Sequence, residues 1–252
     1  MKQYNSCYRY ALLLGMLLIE PIVQAAEVKV AVAANFTDVA RELVPLFKQT
    51  TGHTASISFG STGKLYAQIG NGAPFGVFLA ADSERAWRTE ASGLAVEGTR
   101  FTYAVGRLVF WSSTSGQFNE GESYLRSASF KRVAIGNPKT APYGHAAKQV
   151  LEHLSLWSEV EPKLVRGESI AQTFQFTATG NVDAGFVALS QVKGWRERGT
   201  LWTIPQKYYS PIEQQAVLLS KGRDNPAAIA FVDFLRSVAA RKVISSYGYG
   251  VE

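Results

Sequence analysis

The sequence predicts an α/β fold built as two lobes. Three observations lead to that expectation. Strand-like runs alternate with amphipathic helical runs from Glu27 onward, the alternation is interrupted by one long β-rich stretch at Arg100–Ser113, and a late strand-like run, Ile212–Ser220, follows a second alternating series. Such alternation favours parallel sheets with crossover helices. In order, "EVKVAVAA" reads as a strand, "FTDVARELVPLFKQTTG" as a helix closed by Gly52, "TASISFG" as a strand, "GKLYAQIGNG" as a helix and "GVFLAAD" as a buried strand. "RFTYAVGRLVFWSS", rich in β-formers, leaves this first unit. The second series is "RVAIGNP", "PYGHAAKQVLEHLSLW", "KLVRGES", "IAQTFQFTATG", "DAGFVALSQV" and "LWTIP". After "IEQQAVLLS" comes one closing helix, "DNPAAIAFVDFLRSVAARKVI", with Pro226 in its first turn, where proline is tolerated. The chain is expected to cross between lobes near Tyr103–Phe110 and to return near Tyr208–Val217. One lobe would then hold residues 26–105 with 217–252, and the other residues 106–216.

Lys2 and Arg9 precede an apolar run, Ala11–Ile19, that ends at Glu20 and Pro21 and is followed by small residues at Val23 and Ala25. That order is the pattern of a secretory signal, and the run is shorter than the roughly 20 residues needed to span a bilayer. Residues 1–25 are therefore read as a cleaved signal. The single cysteine, Cys7, lies inside it, which excludes disulfides, thiolate metal sites and cysteine nucleophiles from the mature chain. Against 20 Asp and Glu stand 26 Lys and Arg, scattered along the chain and without a nucleic-acid-binding motif. A solvated exported surface, not a nucleic-acid partner, follows.

"SFGSTGKLYAQI", Ser58–Ile69, has the look of a phosphate cradle. A P-loop needs glycine where Ser58 stands and Ser or Thr where Leu65 stands, so the nucleotide reading fails. A hydroxyl-rich turn opening a helix nevertheless suits an anion. Four such strand-to-helix junctions occur: Asn35 and Thr37 in "AVAANFTDVA", Ser61 and Thr62 in "FGSTGK", Pro142, Tyr143 and Gly144 in "NPKTAPYGHAA", and Glu168, Ser169 and Ile170 in "GESIAQTF". Helix capping alone also accounts for each taken singly. Two from each lobe would converge on a cleft lined by amide and hydroxyl donors, each helix start adding about half a unit of positive charge. Uncharged donors cannot accept a proton from a ligand, and an unpaired buried polar group costs about 1–3 kcal/mol. The site should therefore favour a fully deprotonated tetrahedral oxyanion such as sulfate, molybdate or tungstate.

The "AAxF/L" turn, the block Gly60–Asp82, "NPxxAPYGxAA" at Asn137–Ala147 and "GFVALSQV" at Gly185–Val192 resemble the periplasmic molybdate-binding proteins of ABC transporters across the mature chain. The resemblance implies a type II periplasmic-binding fold, two αβ lobes with mixed sheets joined by a two-strand hinge. It implies molybdate or tungstate in the cleft, with molybdenum held as the oxyanion and no direct metal ligand. Contacts carried over by motif come from Asn35, from Ser61 and Thr62, from the backbone N–H of Tyr143 and from the amide of Ile170. Many relatives place a tyrosine hydroxyl where this chain has Ala188, which leaves the phenol of Tyr143 as a candidate replacement. Asn35 stands where serine is commoner. A periplasmic monomer without cofactor, serving an inner-membrane ABC permease, completes the expectation.

Two alternatives compete. One is the same cleft holding sulfate, thiosulfate or another oxyanion, since selectivity rests on small differences in radius. The other is an exported hydrolase. No Gly-x-Ser-x-Gly elbow occurs, and His53, His145 and His153 lack zinc-protease spacing. Asp38, Asp82, Glu168 and Asp183 could form an acid–base pair but would repel a bound dianion.

Overall fold

The computed structural model describes residues 25–195 and 199–251; the expected signal, residues 1–25, lies almost wholly outside them. Two five-stranded sheets form the framework. The first has the order β2-β1-β3-β10-β4, from β1 (Glu27–Ala33), β2 (Thr54–Gly60), β3 (Val77–Ala80), β4 (Phe101–Gly106) and β10 (Ile212–Leu218). The second has the order β7-β6-β8-β5-β9, from β5 (Leu108–Ser112), β6 (Val133–Gly136), β7 (Leu164–Gly167), β8 (Ala184–Ala188) and β9 (Thr200–Thr203). Each sheet is mixed in the same way. Three strands run parallel, β1 with β2 and β3, β6 with β7 and β8, and antiparallel strands complete each sheet.

The β-rich stretch at Arg100–Ser113 is two strands that belong to different sheets, separated by Arg107 alone. A side chain at Gly106 would collide with the Tyr143 hydroxyl and the Gln214 amide, so the crossing can take only glycine there. The return runs from Thr203 to Ile212. The whole of β10 pairs with β3 and β4, so Ile212–Ala216, expected in the second lobe, lie in the first sheet.

Ten helices cover the sheets among the described residues: α1 (Thr37–Thr51), α2 (Thr62–Gly70), α3 (Ser83–Ala91), α4 (Gly121–Ser127), α5 (Pro142–His153), α6 (Trp157–Val160), α7 (Ile170–Ala178), α8 (Leu189–Gly194), α9 (Pro226–Leu235) and α10 (Val238–Ser246). In α1 the apolar positions Val39, Ala40, Leu43 and Phe47 recur at helical spacing and are buried, and Gly52 closes it in the left-handed conformation. Phe47 meets Phe231 of α9 edge-on at 5.1 Å. The expected single closing helix is two. Ser237 adopts an extended backbone and its hydroxyl accepts from the Ala240 N–H at 3.1 Å, so a local N-cap wins over continued helix. No described helix is long and apolar enough to cross a membrane.

Candidate functional site: a donor-lined cleft between the sheets

Each sheet ends, at the carboxyl edge of its parallel strands, in turns that open helices, the usual ligand position in open α/β sheets. Four of these turns meet. One small cavity is lined by Ala33, Asn35, Ser61, Thr62, Tyr143 and Ile170, among others, and leaves about 10 Å³ for the centre of a water-sized sphere. All five residues expected at the site reach it. A space of that size excludes a nucleotide or a sugar.

Ser61 precedes α2 in N-cap position but makes no capping bond. It is buried, and its Oγ has no hydrogen-bond partner among the described residues. Thr62 is buried as well; its Oγ1 accepts from the Ala81 N–H at 3.1 Å, which leaves the hydroxyl hydrogen to donate. From the second sheet, α5 opens with Pro142 at its first position and Tyr143 follows. Ile170 is the first residue of α7, which Ser169 caps by accepting from the Gln172 N–H. The amides of Tyr143 and Ile170 belong to first turns, whose N–H groups lack intrahelical acceptors. The Ile170 carbonyl accepts from Gln191 Nε2 at 3.1 Å, which fixes that turn.

Asn35 lies in a 3₁₀ turn, Ala34–Phe36, between β1 and α1. Both hydrogens of its side-chain amide are committed elsewhere, to Gln214 Oε1 and to Tyr249 Oη, each at 2.8 Å. Its carbonyl accepts from Ser190 Oγ at 3.0 Å and from Tyr249 Oη at 2.9 Å. What Asn35 offers the cavity is therefore its backbone. The Tyr143 hydroxyl accepts from Gln214 Nε2 at 3.1 Å, and the Ala188 N–H donates to Gln191 Oε1. Accepting from Gln214 leaves the phenol hydrogen of Tyr143 to donate, as at Thr62. Burial pushes the Tyr103 and Tyr143 phenols well above the usual tyrosine range and Tyr249 up to about 12, so all three stay neutral. Sequence reasoning missed Tyr103, Ser190, Gln214 and Tyr249, because their meeting with Asn35 is made only by the folded chain.

Charged groups stay outside the cavity lining. Glu168 pairs with Lys64 at 2.7 Å, joining the two lobes at an exposed position. Arg85 pairs with Asp82 at 2.6 Å and donates to the Lys139 carbonyl of the opposite lobe at 2.9 Å. The Gly63 N–H donates to the Thr140 carbonyl at 2.9 Å, a third bond across the cleft. A neighbouring groove of about 170 Å³ is larger, but Asp82, Glu84 and Glu213 line it against the single guanidinium of Arg85, and that negative balance disfavours an anion. Among the described residues no cluster of His, Cys, Asp and Glu is suited to a bare metal ion.

The profile of the bacterial extracellular solute-binding protein family matches residues 28–250. The chain is 51% identical to the molybdate-binding protein ModA of Azotobacter vinelandii, over 98% of this chain and 99% of that one. It is 48% identical to the ModA of Rhodobacter capsulatus, over 90% of each. Among solved structures, a periplasmic molybdate-binding protein of Azotobacter vinelandii superposes with a TM-score of 0.86 at 38% identity, covering 89% of this chain and 99% of that chain. Matched along nearly its whole length, the chain belongs to the bacterial extracellular solute-binding protein family, in the group that includes these ModA proteins.

Proposed function

We propose that the protein captures molybdate in the interlobe cleft and delivers it to an ABC permease, as a binding protein and not an enzyme. The observation that carries this reading is the Ser61 hydroxyl, buried without a partner among the described residues in a cavity whose lining holds no charged side chain. The contacts in this reading are the Ser61 and Thr62 hydroxyls and the backbone N–H groups of Asn35, Tyr143 and Ile170. Molybdate is cargo, not a cofactor. Tungstate, of the same shape and charge, fits the same donors. The moving bodies are the two sheets with their helices, hinged at Arg107 and at residues 204–211, and the anion favours closure by touching both. A monomer in the periplasm suffices for this cycle.

Calorimetric titration with molybdate, tungstate, sulfate and phosphate tests the reading. Molybdate and tungstate should bind. Phosphate should bind at least about tenfold more weakly near neutral pH, because its O–H faces backbone N–H groups that cannot accept or forces a site hydroxyl to stop donating. Phosphate binding as tightly as molybdate would refute the donor-only site.

A further inference from the structure

Beside the cavity six buried polar residues form one circuit. Gln214 sits at a bulge in β10, where the register against β4 shifts between Gln214 and Gln215, and its side chain is fully buried. Bulges commonly re-aim a side chain beside a functional site. Gln214 Oε1 accepts from Asn35 Nδ2 at 2.8 Å and from Tyr103 Oη at 3.0 Å, while its Nε2 donates to Tyr143 Oη at 3.1 Å. Tyr249, carried by the C-terminal tail, accepts the second Asn35 hydrogen and donates to the Asn35 carbonyl. Ser190 at the start of α8 lies 2.9 Å from the same phenol. Asn35, Tyr103, Gln214 and Tyr249 belong to the first lobe; Tyr143 and Ser190 belong to the second.

Resting on the molybdate reading, we propose that Gln214 and Tyr249 are positioning residues for anion capture. They touch no ligand. Through Asn35 they hold the first turn's backbone, through Tyr143 they hold the third, and because the circuit closes only when the lobes meet, they tie site geometry to closure. The carboxamide at 214 is required for its polarity: it must accept twice and donate once in the same place. Glutamate there can donate only while protonated. The titratable groups facing it are the phenols of Tyr103, Tyr143 and Tyr249, with Asp82 acting on Tyr103 through its charge.

The test measures molybdate affinity and dissociation rate for the wild type, Gln214→Met, Gln214→Glu and Tyr249→Phe, with a melt of each ligand-free protein. Gln214→Met and Tyr249→Phe should each weaken binding about tenfold, chiefly through faster dissociation. Gln214→Glu should lose affinity as pH rises from about 6 to about 9, while the wild type stays level, a profile that mere structural damage does not produce. Variants that bind within about twofold of a binding wild type, at every pH, would overturn the proposal alone. A wild type that ignores molybdate would overturn the functional reading with it. If Gln214→Met does not fold, Tyr249→Phe and the Gln214→Glu profile still decide.

Discussion

Two buried polar regions adjoin at Asn35 and are built on opposite rules. In the cavity, among the described residues, Ser61 Oγ has no partner and the Tyr143 and Ile170 N–H groups, at the starts of α5 and α7, have no intrahelical acceptor. In the hinge circuit beside it, the Asn35 amide and the Gln214 carboxamide are matched to neighbours at 2.8 to 3.1 Å. Unpaired donors cost free energy in the folded protein and are repaid only by a ligand; paired ones stabilise the fold whether or not a ligand is bound. The difference separates residues that bind from residues that hold.

Substitutions in the two regions should therefore fail in different assays. The largest effect is expected from Ser61→Asp, which sets a carboxylate against the dianion in a closed cavity; affinity should fall by about 3–5 kcal/mol in a calorimetric titration. In the hinge circuit the sensitive variable is alkaline pH. The Tyr249 phenol is raised from 10.0 to about 12 by burial. Its contribution is complete below the unfolded value near 10 and is lost as pH rises toward 12, up to about 2–3 kcal/mol. Denaturant unfolding across that window should show the loss, and Tyr249→Phe should remove its share while Tyr103 and Tyr143, raised by the same burial, keep theirs. Next come Ser61→Ala and Thr62→Ala, each weakening molybdate binding by about 1–3 kcal/mol. Ser61→Ala should leave ligand-free stability level or higher, whereas Gln214→Met should lower it by a similar amount; equal melts for these two would erase the distinction between regions. The smallest effect belongs to the exposed Lys64–Glu168 pair, whose removal by Lys64→Ala should change affinity by less than about 1 kcal/mol and fade with added salt.

The cavity was legible in the sequence because its logic is local. A strand, a short run of small or hydroxyl residues and a helix start can be read from Gly60–Thr62 or Gly167–Ile170 without knowing the rest of the chain. The hinge circuit was not, since Asn35 meets Gln214 across 179 positions and Tyr249 across 214. The tail "SSYGYGVE" carries no periodicity to announce that Tyr249 enters the interior. Residue type at Asn35 does not announce that its side chain bonds Gln214 and Tyr249. The two lobes were legible from alternation, yet α3 received no element. Its residues are mostly charged and polar, and it buries only Ala86 and Thr89, too little apolar stripe to register as a helix. The split after α9 was hidden by an apolar pattern that continues through a single capping serine, Ser237.

The central claim is that uncharged donors from both lobes hold the oxyanion at one place. Crystals of the protein grown with sodium molybdate, with anomalous data collected at the molybdenum edge, locate that ion directly. The account predicts a single strong peak enclosed by Ser61, Thr62 and the amides of Asn35, Tyr143 and Ile170, with the Asn35 side chain still on Gln214 and Tyr249. A peak in the groove beside Asp82 and Glu213, or an Asn35 amide turned onto the ion, would contradict it.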